Sequence, residues 1–294
     1  HNPSKNNPNS FFLLSKETAI IINNWFMMYF LSVVLIGTIY PIFLDVLSSQ
    51  KISVGPPFYH KLIIPFLIPF LLIMAIGPKL KWIKSNLEDK IYLIAMLIVS
   101  ILLSILIVKN FSPNFLINTI LISSALYLFF ITFRDLFSKG FKNLAQNIAH
   151  FGFSLLILSI LFNNLFSTEI ITNLKVGETF ENTKTKIVFE SISQKKEKNY
   201  NSILAKFTIQ DSKGKLENLS PELRIYNQPN IATSEADIKT TLLSDKFIVI
   251  NIVQNQEFFN IRYQVKPFML WIWISVILIS TGGLVSFVKK EYER

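Results

Sequence analysis

His150 is the residue with the strongest claim to chemistry in this sequence. It lies within KNLAQNIAHFGFSLLILSILFNNLF (142–166), a largely apolar run of the length that crosses a bilayer. Asn143, Gln146, Asn147, His150 and Ser154 follow i, i+3, i+4, i+7 spacing, so on a helix they form one polar stripe opposite Leu, Ile and Phe. Amide and imidazole groups are costly in hydrocarbon unless they find partners. The stripe is therefore expected to face a bundle interior, a bound ligand or water. His150 has three readings: a haem-iron ligand, a proton relay, or a histidine hydrogen-bonded between helices. A neutral imidazole ligates iron through one nitrogen while an acceptor fixes the other. His60 falls at the opposite membrane face, at a loop end, so a bis-histidine site needs its second ligand from outside this chain.

A second cluster lies in LSPELRIYNQPNIATSEADI (219–238), where Glu222, Arg224, Tyr226 and Glu235 share one non-repetitive stretch. It reads as an Arg–Glu pair holding a domain together, or as a surface that docks a partner. KISVGPPFY (51–59) is either a rigid turn or a binding surface. No nucleotide-binding loop, Ser/His/Asp set or HExxH motif occurs. With no cysteine in 294 residues, the chain carries no disulfide, zinc-thiolate site, catalytic thiol or covalent c-type haem.

These residues need elements to position them. Of the residues, 51% are hydrophobic, and five long apolar runs crowd the first 166 positions while one more closes the chain. That distribution specifies a mostly α membrane protein of about six transmembrane helices. The spans are expected at 18–40, 62–76, 91–108, 115–133, 142–166 and 268–288, with Pro41 ending or kinking the first. Between the fifth and sixth runs the pattern changes to short alternating segments such as KTKIVFESIS and KFIVINIV, which specify a small β domain. The expected organisation is a linker over 1–15 continuing from a preceding part of the protein, a five-helix region over 16–166, a β domain over 167–266, and a final span with its tail over 267–294.

The net charge of +10 is explained by the positive-inside rule rather than by nucleic-acid binding. Alternate short segments carry twelve Lys and Arg on one side against Lys51, Lys61 and Lys109 on the other. The first side is assigned to the cytoplasm, which sends the β domain outward. His150 then lies roughly 10 Å inside the cytoplasmic end of its helix.

Several separated blocks carry a resemblance: LLSKETAIIINNW, GTIYP, ISVGPPFY, IGPKLKW, IAHFGFSLLILS, SPELRIY with SEADI, and KPFMLWIWISVILISTGGL. In this order they resemble the C-terminal half of CcmF, the membrane haem lyase subunit of cytochrome c maturation. Lys16 stands where that family usually has Arg, and Leu223, Ser234 and Asp237 are also atypical. The resemblance implies a protein that takes haem from a haem chaperone and attaches it through thioether bonds to the CxxCH thiols of an apocytochrome c. It works there beside thiol-presenting partners and other maturation subunits. It also implies a membrane-held b-type haem with His150 as one axial ligand and Gln146, Asn147 and Ser154 lining the pocket; the second axial ligand lies outside this chain. Haem is thus expected both as cofactor and as substrate, in a lyase incomplete without its N-terminal half. The expected location is the bacterial inner membrane with the β domain in the periplasm, or the mitochondrial inner membrane. The alternative is a non-enzymatic haem transporter or scaffold subunit.

Overall fold

A computed structural model describes residues 15–48, 52–82, 89–109, 111, 114–138, 143–211, 214–253 and 257–292, the side chains only as far as residue 288. Residues 1–14 of the linker expected over 1–15, most of the basic loop before residue 89, Lys51, Lys139, Lys142, parts of the turns at 109–114 and 211–214, and the side chains of the C-terminal tail lie outside the described residues. The chain divides into two compact units, one of residues 1–158 with 275–294 and one of residues 159–274.

Among the described residues, six helices are long and apolar enough to cross a membrane. The first, α1, runs Lys16–Ser48 with Pro41 inside it, so the proline does not end the helix as one of the two expectations had it. A proline is tolerated inside a membrane helix where neighbouring groups or a local adjustment satisfy the carbonyl it frees. Helix α2 spans Pro56–Ile76 and starts earlier than its apolar run, because Gly55 sits extended before it and Pro56–Pro57 fill the first turn, where a missing N–H costs nothing. The GPP signal is thus a helix start rather than a separate turn. A 3-10 turn at Gly77–Lys79 follows, then α3 (Lys90–Val108), α4 (Phe115–Ser138) and α5 (Leu144–Phe166). Helix α4 is the central one: 61% of its most apolar stretch is buried, against 11–22% for the other five. It packs on both α2 and α3. Its buried Ser123, Ser124 and Thr132 donate to carbonyls of the preceding turn, which satisfies these three hydroxyls.

The last helix, α6, runs Met269–Tyr292. It crosses α5 closely at two glycines. A Cβ on Gly152 would stand 2.9 Å from the Ile279 nitrogen, and one on Gly282 would stand 2.8 Å from Ala149. Gly283, its neighbour, has open space where a side chain would go.

Among its described residues the second unit holds ten antiparallel strands: β1 (Thr168–Leu174), β2 (Thr179–Glu181), β3 (Thr185–Lys196), β4 (Tyr200–Asp211), β5 (Leu216–Leu219), β6 (Glu222–Tyr226), β7 (Ala232–Glu235), β8 (Asp237–Thr240), β9 (Ser244–Ile252) and β10 (Phe259–Pro267). One sheet has the order β1-β10-β9-β8; the other has β2-β3-β4-β6-β7, with β5 paired to β4. The first and last strands are direct neighbours, with Thr168 opposite Val265. Alternate positions form the core: Ile187, Phe189, Ala205, Phe207 and Ile209 from one sheet meet Ile248, Ile250, Ile261 and Tyr263 from the other. The Phe189 and Phe207 rings stack at 4.4 Å.

Candidate functional site: a cavity beside His150

A cavity of about 580 Å³ opens among α1, the C-terminal half of α2 and the first half of α5. That size suits a cofactor or other small ligand. Its walls are largely apolar: Ala19, Ile20 and Met27 from α1, Phe70, Ile73 and Met74 from α2, and Ala149 and Phe153 from α5. Phe70 meets Phe153 edge to face at 6.0 Å and also meets Phe26 and Phe30, so one wall is aromatic. The polar lining consists of Asn23, Gln146, His150 and, at one end, Lys16. The Lys16 ammonium stands 5.3 Å from the Trp82 ring centroid.

The imidazole of His150 is half-buried, and no hydrogen bond joins it to another described residue. A ring nitrogen at the wall of a mainly apolar cavity is therefore available to a ligand. A single neutral imidazole is a donor that haem iron accepts, and the largely apolar surroundings fit such a group. No group of three or more His, Cys, Asp or Glu suited to a bare metal ion occurs among the described residues.

The remaining stripe residues divide by face. Gln146 lines the large cavity with His150. Asn147 is buried and donates to the Asp135 backbone oxygen at 2.9 Å; it lines only a second space of about 40 Å³. Ser154 is fully buried against α4, shares a 2.8 Å hydrogen bond with the Thr132 hydroxyl, and lines neither space. Asn143 is exposed. His60 is exposed in the first turns of α2.

An ion pair joins Lys79 to Asp135, with side chains only 5% and 9% exposed. Asp135 lines the small space together with Lys16, Asn143, Gln146, Asn147 and His150. In the sequence Lys79 belongs to the basic stretch GPKLKWIKSNLEDK, and no local pattern ties it to Asp135. The available signal was Asp135 beside Arg134 at the end of an apolar span, ITFRD, since an acid there needs a cation at the same depth.

In the β unit, Arg224 donates through Nε and Nη2 to one Glu222 oxygen, at 3.0 and 2.9 Å, and its Nη1 lies 3.8 Å from Glu235. The guanidinium also sits 5.1 Å from the Tyr200 ring, which packs on Tyr226 at 5.3 Å. The four residues singled out in the sequence thus form one network across β6 and β7. Burial works against ionisation of Glu222, but the Arg224 hydrogen bonds outweigh it and hold the carboxyl below its ordinary range.

Residues 165–267 match the family described as the CcmF C-terminal beta-sandwich. The cytochrome c-type biogenesis protein CcmF of Pseudomonas fluorescens is 27% identical over 96% of the chain, that of Haemophilus influenzae 27% over 95%, and that of Escherichia coli K12 25% over 96%. In sequence and fold the chain is similar to the C-terminal half of CcmF. It spans 45% of the length of each of these relatives. A solved structure of the cytochrome c heme lyase CcmF superposes on 93% of the chain and 46% of its own, with a TM-score of 0.71 at 22% identity, which is a likeness of fold. The expectation of a membrane protein of six helices with one small β domain is borne out.

Proposed function

We propose that this chain is the C-terminal part of a haem lyase of cytochrome c maturation, and that His150 is one axial ligand of a b-type haem held in the membrane. The observation that carries this reading is the unbonded imidazole at the wall of a 580 Å³ cavity that is apolar apart from Asn23, Gln146 and the Lys16 end. When bound, the haem supplies one-electron redox chemistry. The residues of this chain hold and tune it. Phe70, Met74 and Phe153 would keep water from the bound group, Gln146 would offer it an amide, and Lys16 would offer a cation. Asn147 and Ser154 act one step back, fixing α5 to α4 through Asp135 and Thr132 and so setting the rotation at which His150 meets the cavity.

In this reading the outward β unit faces the periplasm, a bacterial inner membrane holds the helices, and the unit braces the site or docks a haem chaperone, apocytochrome c or other maturation subunits. Its Glu222, Arg224, Tyr226 and Glu235 network keeps that surface in one shape. Covalent attachment of substrate haem to CxxCH thiols draws its sulfur from the apocytochrome, which accords with the absence of cysteine here. The second axial ligand comes from the remainder of the protein.

The test is an absorption spectrum of the purified full-length protein reduced with dithionite. A b-type α band that is lost in His150→Ala and kept in Ser154→Ala is the expected result. The same band in both variants removes His150 as ligand. No haem in the parent protein leaves a transporter or scaffold subunit.

A further inference from the structure

The geometry points to a second membrane contact, made by the β domain itself: the β8–β9 turn inserts Leu242 and Leu243 into the lipid interface beside the start of α6. These two leucines are each 66% exposed and are the only adjacent pair of large apolar residues exposed on the β strands and their turns, among the described residues. Isolated exposed leucines are ordinary, but a pair at the tip of a hairpin forms a local apolar wedge.

Two hydrogen bonds fix the wedge to the first turn of a membrane span. The Trp271 indole N–H donates to the Leu242 carbonyl at 2.9 Å, and the Phe268 N–H donates to the Leu243 carbonyl at 2.9 Å. Trp271 is the third residue of α6, so the turn is held within a few ångströms of the depth at which that helix enters the bilayer. Indoles favour this depth, and Trp273, 63% exposed, repeats the preference two residues on. The turn is also stiff. The Thr241 hydroxyl donates to the Ser244 carbonyl at 2.7 Å and accepts from the Ser244 N–H at 3.1 Å, while Asn163 holds the Pro267 carbonyl at 2.6 Å. A rigid tip carrying two bare leucines at the level of an interfacial tryptophan is complementary to the boundary between headgroups and acyl chains.

The absence of cysteine makes the test direct. Leu242→Cys, Leu243→Cys and, as a control on a different turn, Ile231→Cys are introduced into the full-length protein, labelled with a nitroxide and reconstituted in phosphatidylcholine vesicles. The expected result is an oxygen-to-nickel-chelate accessibility ratio several-fold higher at 242 and 243 than at 231. Equal ratios at all three positions place the turn in water and overturn the proposal. Exclusion of both reagents at 242 and 243 shows that protein covers the turn, and also overturns it. The unsubstituted protein provides an independent readout: a phospholipid bearing a diazirine on a shallow acyl carbon should label the peptide spanning 240–244, and no adduct there overturns the proposal.

Discussion

The two units of this chain solve packing with opposite materials. In the helical unit, close approach comes from small residues, such as Gly282 against Ala145 and Ala149, and from polar groups paired deep inside, such as Lys79 with Asp135. In the sandwich, large side chains interlock: Phe189 and Phe207 stack while Ile248, Ile250 and Ile261 close over them. The cause is the solvent. Lipid tails are as apolar as leucine, so nothing drives two apolar helix faces together except fit and hydrogen bonding. Water drives the sheets together in proportion to the apolar area they hide. Charges follow the same division. Lys79 and Asp135 neutralise each other out of reach of water, whereas Glu217, itself buried, gathers Lys246, Lys215 and Lys239, two of which reach solvent.

The sharpest way to break this contrast is Asp135→Ala, which takes the paired carboxylate away from the buried Lys79 ammonium and should cost roughly 3–5 kcal/mol. The check is thermal unfolding of the solubilised protein. Lys79→Met combined with Asp135→Leu should recover most of the loss, because the pair matters through its mutual neutralisation. Next in size, Gly282→Leu should force α5 and α6 apart and cost roughly 1–3 kcal/mol, while Gly283→Leu, entering open space, should be silent in the same assay.

A smaller effect appears in the sandwich under acid. Burial pushes the Glu217 carboxyl up, but hydrogen bonds and attraction from Lys246, Lys215 and Lys239 win and hold it below its ordinary 4.5. A depressed carboxylate gives stability that is present above the unfolded value and lost as pH falls through the folded one. Amide protection in β4 and β9 should therefore weaken as pH drops below about 4.5, and Glu217→Gln should flatten that dependence. The smallest effect belongs to the partly exposed network: Arg224→Ala should shift stability by about 0.2–1 kcal/mol, read from denaturant midpoints. A shift several times larger would show that this network is a cornerstone of the domain and not merely its surface.

The sequence read well wherever one segment encoded its own environment. Long apolar runs announced the spans, alternation announced the strands, and the spacing of Gln146 and His150 on α5 announced a face that does line a cavity. What stayed hidden depended on pairs far apart in the chain. Lys79 and Asp135 are 56 positions apart, so no periodicity within either segment reveals the bond. Ser154 shares the polar spacing yet turns to Thr132, because the helical stripe drifts around the axis over two turns and meets α4 before it meets the cavity. Helix starts were missed where local chemistry outweighed hydropathy, as at Pro56, which opens α2 six residues before the apolar run from Leu62.

The pairing of β1 with β10 sets the two ends of a hundred-residue excursion next to one another, about 5 Å apart from strand to strand. Whatever lies between them, the chain leaves α5 and returns to α6 through the same narrow doorway. Such an arrangement makes the sandwich exchangeable: a replacement module with adjacent termini could be spliced in, or a tight hairpin substituted, without asking either helix to begin anywhere new.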